Sequence, residues 1–377
     1  MIQISSQFDA GNIEVVKADE AADIRLKIKR DVGDEHAQWF YFQLANAGGK
    51  QCRMTIENAG EVSYPDGFRD YHAVASIDGE NWFRVPTAFD GNELVISHEA
   101  PTDQVFYAYY APYSYDRHQW LISDAAECER VRTEVLCVTP DGRALTVLKI
   151  GDETAGHKRI WITARQHPGE SMAEWWVEGF LERLLDPEDG VSRALLDHAV
   201  IYLVPNMNPD GSVRGHLRVN AHGVNLNRAW RDPDPKTSPE VFYVRERMHE
   251  TGVDIALDVH GDENLPYNFI AGGEGVARWN DAMENDLQAF KELLARISPD
   301  FQIEFGYERD APKSADLRKC TDYVAETFGC LAMTLEMPFK DAANHPMPDI
   351  GWSPGRSRKM GAVCVDAFWQ TISGGGA

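Results

Sequence analysis

Residues 159–176 read RIWITARQHPGESMAEWW. The run at 159–163 is compact and apolar, as expected of a strand buried on both faces. From Ser171 the spacing turns helical and predicts a helix over 171–185, with Ser171 and Glu174 in the pattern of a capping box. Between them, His167-Pro-Gly-Glu170 places an imidazole and a carboxylate at the carboxyl end of a strand, where open α/β sheets bind ligands. The same alternation recurs on either side. Apolar strands are expected at 199–204, 254–259 and 330–335, and helices at 239–250, 281–297 and 314–328. Strands separated by helices of this length make a three-layer α/β domain from about residue 115 onward.

The first 110 or so residues follow another rule. DIRLKIKR at 23–30 alternates, with Ile24, Leu26 and Ile28 on one face and charged residues opposite, the period of a half-buried strand. Further short strands are expected around 40–44, 54–56, 71–77, 82–85, 94–96 and 105–113, punctuated by turn signals such as NAGG and DGEN. That pattern argues for an antiparallel β-sandwich. The organisation expected is therefore a sandwich over 1–114, an α/β domain over 115–370 and a flexible tail over 371–377.

The 377 residues include 10 Trp, 13 Tyr and 16 Phe, ample material for a core, so a wholly disordered chain is excluded. Lys plus Arg number 37 against 60 Asp plus Glu, a formal charge of −23. Such a chain repels nucleic acid and anionic lipid on average, so neither is an expected partner. No apolar run approaches the roughly 20 residues that span a bilayer. The N-terminal stretch lacks the pattern of a signal peptide, and the six cysteines show no CxxC spacing. Free thiols in a cytoplasmic protein are the expectation.

A second strand-ending histidine, His260, stands in DVHGDEN. Two imidazoles and a carboxylate form the His₂Glu ligand set of a catalytic zinc site, so His167, Glu170 and His260 are candidate Zn²⁺ ligands. The plainer alternative is a loop histidine bonded to a nearby carboxylate. Arg214, Arg218, Arg228 and Arg231 gather within 18 residues, beside Asn227. Guanidinium forks next to a metal cleft suit carboxylate recognition, although a solvated basic loop would read the same way. Glu336 ends the apolar strand CLAMTL and is a candidate general base; a capping or salt-bridged glutamate is the commoner fate.

Taken in order, HPGE (His167 to Glu170), VPNMNPDG (Val204 to Gly211), HLR ending at Arg218, GVNLNRAW (Gly223 to Trp230), DVHG (Asp258 to Gly261) and TLEMPF (Thr334 to Phe339) resemble the M14 zinc metallocarboxypeptidases, specifically their cytosolic subfamily. The resemblance implies an α/β/α catalytic domain with a mixed central sheet behind the sandwich. It implies one zinc ion on His167, Glu170 and His260, and Glu336 as general base and acid. Arg218 would then stabilise the oxyanion, with Asn227 and Arg228 gripping the substrate's terminal carboxylate. The implied substrates are peptide or protein C-terminal tails. Arg318 and Lys319 fall near the stretch that lines the specificity pocket in relatives. If either faces the cleft, acidic residues such as glutamate are favoured; otherwise they are a solvated first turn of the helix opening at Ser314. Two departures stand out. Asn225 occupies a position where relatives usually carry aspartate against the ligand histidine, and no residue fills the role of the mobile tyrosine, Tyr323 lying too close to Glu336. An aspartoacylase-like zinc deacylase and a weakly catalytic peptide-binding protein are the competing readings. The oligomeric state is not legible.

Overall fold

The computed structural model describes residues 2–374. Ten short strands build the N-terminal domain: β1 (Gln3–Ser5), β2 (Glu14–Lys17), β3 (Ile24–Lys27), β4 (Tyr41–Ala45), β5 (Gln51–Ile56), β6 (Val74–Ser76), β7 (Phe83–Arg84), β8 (Thr87–Phe89), β9 (Leu94–Glu99) and β10 (Gln104–Ala108). They form two five-stranded sheets, ordered β1-β4-β10-β6-β7 and β2-β3-β5-β9-β8. All the pairings are antiparallel except β3 with β5. Alternation explains the core: Ile24, Leu26, Phe42, Leu44, Leu94 and Ile96 are fully buried, with a less buried residue between the members of each pair. The strand expected over 105–113 ends at Ala108. Residues 109–113 continue as a buried connector, because Tyr109 and Tyr110 pack on the next domain.

That domain comprises α1 (Tyr115–Ala126), β11 (Val131–Val138), β12 (Ala144–Ile150), β13 (Lys158–Ala164), α2 (Met172–Leu184), α3 (Gly190–Leu196), β14 (Ala199–Val204), α4 (Pro209–Arg214), α5 (Pro239–Thr251), β15 (Ile255–Asp262), β16 (Phe269–Gly272), α6 (Asp281–Ile297), α7 (Cys320–Phe328), β17 (Leu331–Pro338) and α8 (Pro354–Gly374). The mixed sheet runs β11-β12-β14-β13-β15-β17-β16. Its centre, β14-β13-β15-β17, is parallel, and β12 and β16 flank it antiparallel. Successive residues point to opposite helical layers. Ile160 and Ile162 join the core beneath α2 and α8, while Trp161 joins the core beneath α5 and α7.

Three expectations need correction. Ser171 forms no cap hydrogen bond; its hydroxyl donates to the Ala111 carbonyl, and Glu174 is buried against Arg165 and His118. Tertiary partners thus outbid the local capping box. The helix expected from Ser314 begins at Cys320, since residues 314–319 form turns closed by Asp316 and Asp322. The tail expected from residue 371 is helical through Gly374, on an amphipathic α8 packed against α2; the rest of that tail lies outside the described residues. No described helix is long and apolar enough to cross a membrane.

Candidate active site

The carboxyl ends of β13, β15 and β17 meet at one edge of the parallel centre. His260 on β15 and Glu336 on β17 are register partners, so the two side chains leave the sheet on the same face. His167 and Glu170 come from the turn after β13. Arg165 shapes that turn: it takes a left-handed backbone (φ 55°) and donates to the Pro168 and Tyr113 carbonyls and to Glu174. A side chain held in that conformation by buried partners is strain placed where geometry matters.

His167, Glu170 and His260 are buried, and their ligand atoms lie within 4.8 Å of one another. The Nδ1 atoms of His167 and His260 each sit 2.7 Å from a different oxygen of Glu170. Both far nitrogens are occupied. His167 Nε2 faces Asn225 Oδ1 at 3.2 Å, and His260 Nε2 donates to Asp258 Oδ2 at 2.7 Å. Asp258 is itself fixed by Thr163 and Gln166. This donor set fits zinc: two Nδ1 atoms and one carboxylate converge, and acceptors behind each ring hold the tautomer that presents Nδ1.

Electrostatics separate the two histidines. Burial and the nearby Arg218 guanidinium push His167 down to about 4. Burial alone would lower His260 too, but Asp258 and Glu170 hold it well above the ordinary histidine value. Burial also raises Glu336, reinforced by Glu170 and Asp262.

His167, Glu170 and Glu336 line a cleft of about 680 Å³ together with Tyr64, Arg218, Asn227, Arg228, Glu263, Tyr307 and Lys319. Arg218 is flanked by Glu263, Tyr64, Glu170 and Glu336, which keep it charged despite burial. Asn227 is anchored because its Oδ1 accepts from the Cys320 N–H at 2.8 Å. Arg228 borders the cleft and donates to the Asn227 carbonyl. Arg318 is not in the lining; its guanidinium is exposed and bound to Asp316. Arg214 and Arg231 also lie outside it, paired with Asp141 and Asp232. Tyr323 bonds His249, away from the cleft.

Residues missed in the sequence complete the site. The Tyr307 hydroxyl lies 2.7 Å from Asp262 Oδ2 and 3.1 Å from Glu336 Oε1. Nothing in its irregular loop signalled this, and Tyr64 arrives from the other domain. Asp258 was readable, because it stands two residues before His260 on a strand and shares its face.

A family described as zinc carboxypeptidase matches residues 118–351, and one described as cytosolic carboxypeptidase N-terminal domain matches 4–110. This chain belongs to the zinc carboxypeptidase family. It is a zinc-dependent metallocarboxypeptidase acting on peptide or protein C-termini. A metallo-carboxypeptidase from Burkholderia cenocepacia is 45% identical, superposes with a TM-score of 0.96 and is covered over 99% of this chain and 100% of its own. A metallo-carboxypeptidase from Pseudomonas aeruginosa, in complex with (2-guanidinoethylmercapto)succinic acid, is 42% identical with a TM-score of 0.94 over 98% of each chain. Cytosolic carboxypeptidase 6 from Caenorhabditis elegans is 26% identical over 89% of this carboxypeptidase and 78% of its own length.

Proposed function

We propose that this carboxypeptidase is a cytoplasmic member of the cytosolic branch that releases C-terminal residues, acidic ones preferentially, using one zinc ion per chain on His167, Glu170 and His260. The observation that carries the reading is the convergence of two histidines and Glu170, from separate strands, beside the register-paired Glu336. Zinc, when bound, supplies a Lewis acid for the scissile carbonyl and for water activation. Glu336 takes a proton from the attacking water and returns it to the departing amine. Arg218 meets the oxyanion, a contact that strengthens as charge develops. Asn227 and Arg228 bind the free carboxylate and restrict cleavage to chain ends.

The acidic preference rests on Lys319, which lines the cleft with its ammonium 3.8 Å from Asp322. Thr321 and Thr334, hydroxyls paired at 2.7 Å, share that wall. The Pseudomonas relative's ligand combines a dicarboxylic acid with a guanidino group. Its acid end suits the cationic groups here, whereas Glu274, Glu308 and Asp310 on the cleft wall would suit a basic side chain. A peptide library varied at the C-terminal residue and scored on zinc-loaded protein decides between them. Faster release of glutamate than of lysine or arginine is expected, and the reverse order overturns the acidic preference. Turnover of N-acyl amino acids with none of peptides would replace the peptidase reading by the deacylase one.

A further inference from the structure

Arg218 sits in a loop whose polar backbone is held by the other domain. The Asp31 carboxylate, buried in the connection that follows β3, accepts three successive N–H groups: Leu217 at 2.7 Å, Arg218 at 2.7 Å and Val219 at 3.1 Å. Around it, the Val32 N–H donates to His216 Nε2 at 3.1 Å, and His216 Nδ1 donates to the Val219 carbonyl at 3.0 Å. The Asn12 amide donates to the Gly215 carbonyl at 3.0 Å. From the opposite side, the Gly169 N–H of the ligand turn donates to the Leu217 carbonyl at 2.9 Å. The guanidinium itself lies over the Tyr64 ring, 5.6 Å from its centre.

Three consecutive N–H groups aimed at one carboxylate fix the backbone dihedrals of that stretch, and with them the direction in which Arg218 leaves the chain. Burying a carboxylate is costly unless it is fully bonded, and here the bonds go to the one loop that carries the oxyanion arginine. We propose that Asp31 is a positioning residue for hydrolysis: it sets the loop at 217–219 so that the Arg218 guanidinium meets the oxyanion, which makes the N-terminal sandwich a working part of the active site. The proposal rests on the role given to Arg218 above. An amide at position 31 keeps the shape but offers one acceptor oxygen, and turns N–H groups of its own toward the backbone donors.

The test compares full-length, zinc-loaded Asp31→Asn, Arg218→Ala and the double variant on one peptide, with zinc content and unfolding temperature measured alongside. Because the oxyanion exists only in the transition state, Asp31→Asn should lower kcat about 10- to 100-fold with KM little changed. In the double variant Asp31→Asn should add nothing beyond about a twofold change to the loss from Arg218→Ala, as residues acting through one another do. Affinity for a tetrahedral phosphonate peptide should fall with kcat/KM, while affinity for the product amino acid stays the same. If Asp31→Asn does not fold, Asp31→Glu, which keeps the charge but displaces it by a methylene, should give the same split. Unchanged kcat in the Asp31 variants beside a slow Arg218→Ala overturns the proposal alone, as do losses that multiply in the double variant. A fully active Arg218→Ala overturns the arginine's role and this inference with it.

Discussion

Glu336 has one carboxylate oxygen, Oε1, against the Tyr307 hydroxyl, and its other, Oε2, buried without a protein partner. An unpaired buried oxygen facing a hydrolytic cleft is a proton acceptor awaiting a donor. Glu336→Gln removes that basicity without removing a ligand. Turnover should fall by about 10²–10⁴-fold, with zinc content unchanged by elemental analysis; near-normal turnover would end its assignment as base. The Tyr307 hydrogen bond favours the ionised form of Glu336, against the burial that raises its pKa. Tyr307→Phe should therefore move the acid limb of the kcat/KM profile to higher pH and slow the enzyme more at pH 5.5 than at pH 8. A parallel loss at all pH values would show that the phenol acts elsewhere. Of the site, the groups carried by short motifs on strand ends were legible beforehand, because strand direction places such residues together. Tyr307 was not, since its partners are 45 and 29 residues away and no periodicity links them. Of the two readings open for Arg318, the solvated one holds, because Asp316, two residues earlier, binds its guanidinium outside the cleft.

Helices α2 and α8 approach closely enough that glycine is required on both. A Cβ at Gly179 would stand 2.0 Å from the Arg358 carbonyl oxygen, and one at Gly361 would stand 2.0 Å from that of Trp176. In an isolated helix, replacing glycine by alanine gains up to about 1 kcal/mol. Here the clash is with backbone, which cannot swing aside, so overpacking of roughly 1–3 kcal/mol or more should win. Gly179→Ala should lower the denaturation midpoint and, since α2 starts two residues after Glu170, weaken zinc binding as well; a more stable variant would show that the helices separate freely. The elements themselves were largely visible where period and punctuation agree, as in β13 or α6. The β11–β12 hairpin went unread because β11 is an exposed edge strand whose partly polar pattern carries no clear apolar face. The start of α7 was misplaced because helical spacing extends back through 314–319, while Asp316 and Asp322 tie that stretch into turns.

One apolar core runs from the sandwich into the layer beneath α2 and α8, and aromatic contacts stitch the junction. Tyr109 stacks on Phe339 with centroids 4.6 Å apart, Tyr113 meets Trp175 edge-on at 4.9 Å, and Arg84 donates to the Phe339 and Trp352 carbonyls. Separating the domains would expose that surface, so both should unfold in a single calorimetric transition, and two resolved transitions would contradict the shared core. Removing zinc should lower that one transition as a whole, by about 4 kcal/mol if free zinc had stood 1,000-fold above its dissociation constant. The size of the drop should depend on pH, with a definite sign. Without metal, His260 lies between Asp258 and Glu170 with its folded pKa raised above the unfolded value. Its protonation then supplies part of the missing positive charge. That contribution is fully present below about pH 6.5 and is lost as pH rises through the folded value. The zinc-loaded protein holds His260 neutral and does not share the loss. Chelation should therefore cost more stability at pH 9 than at pH 6, and a gap that is constant or narrows with pH would mean that the proton on His260 does not substitute for the metal.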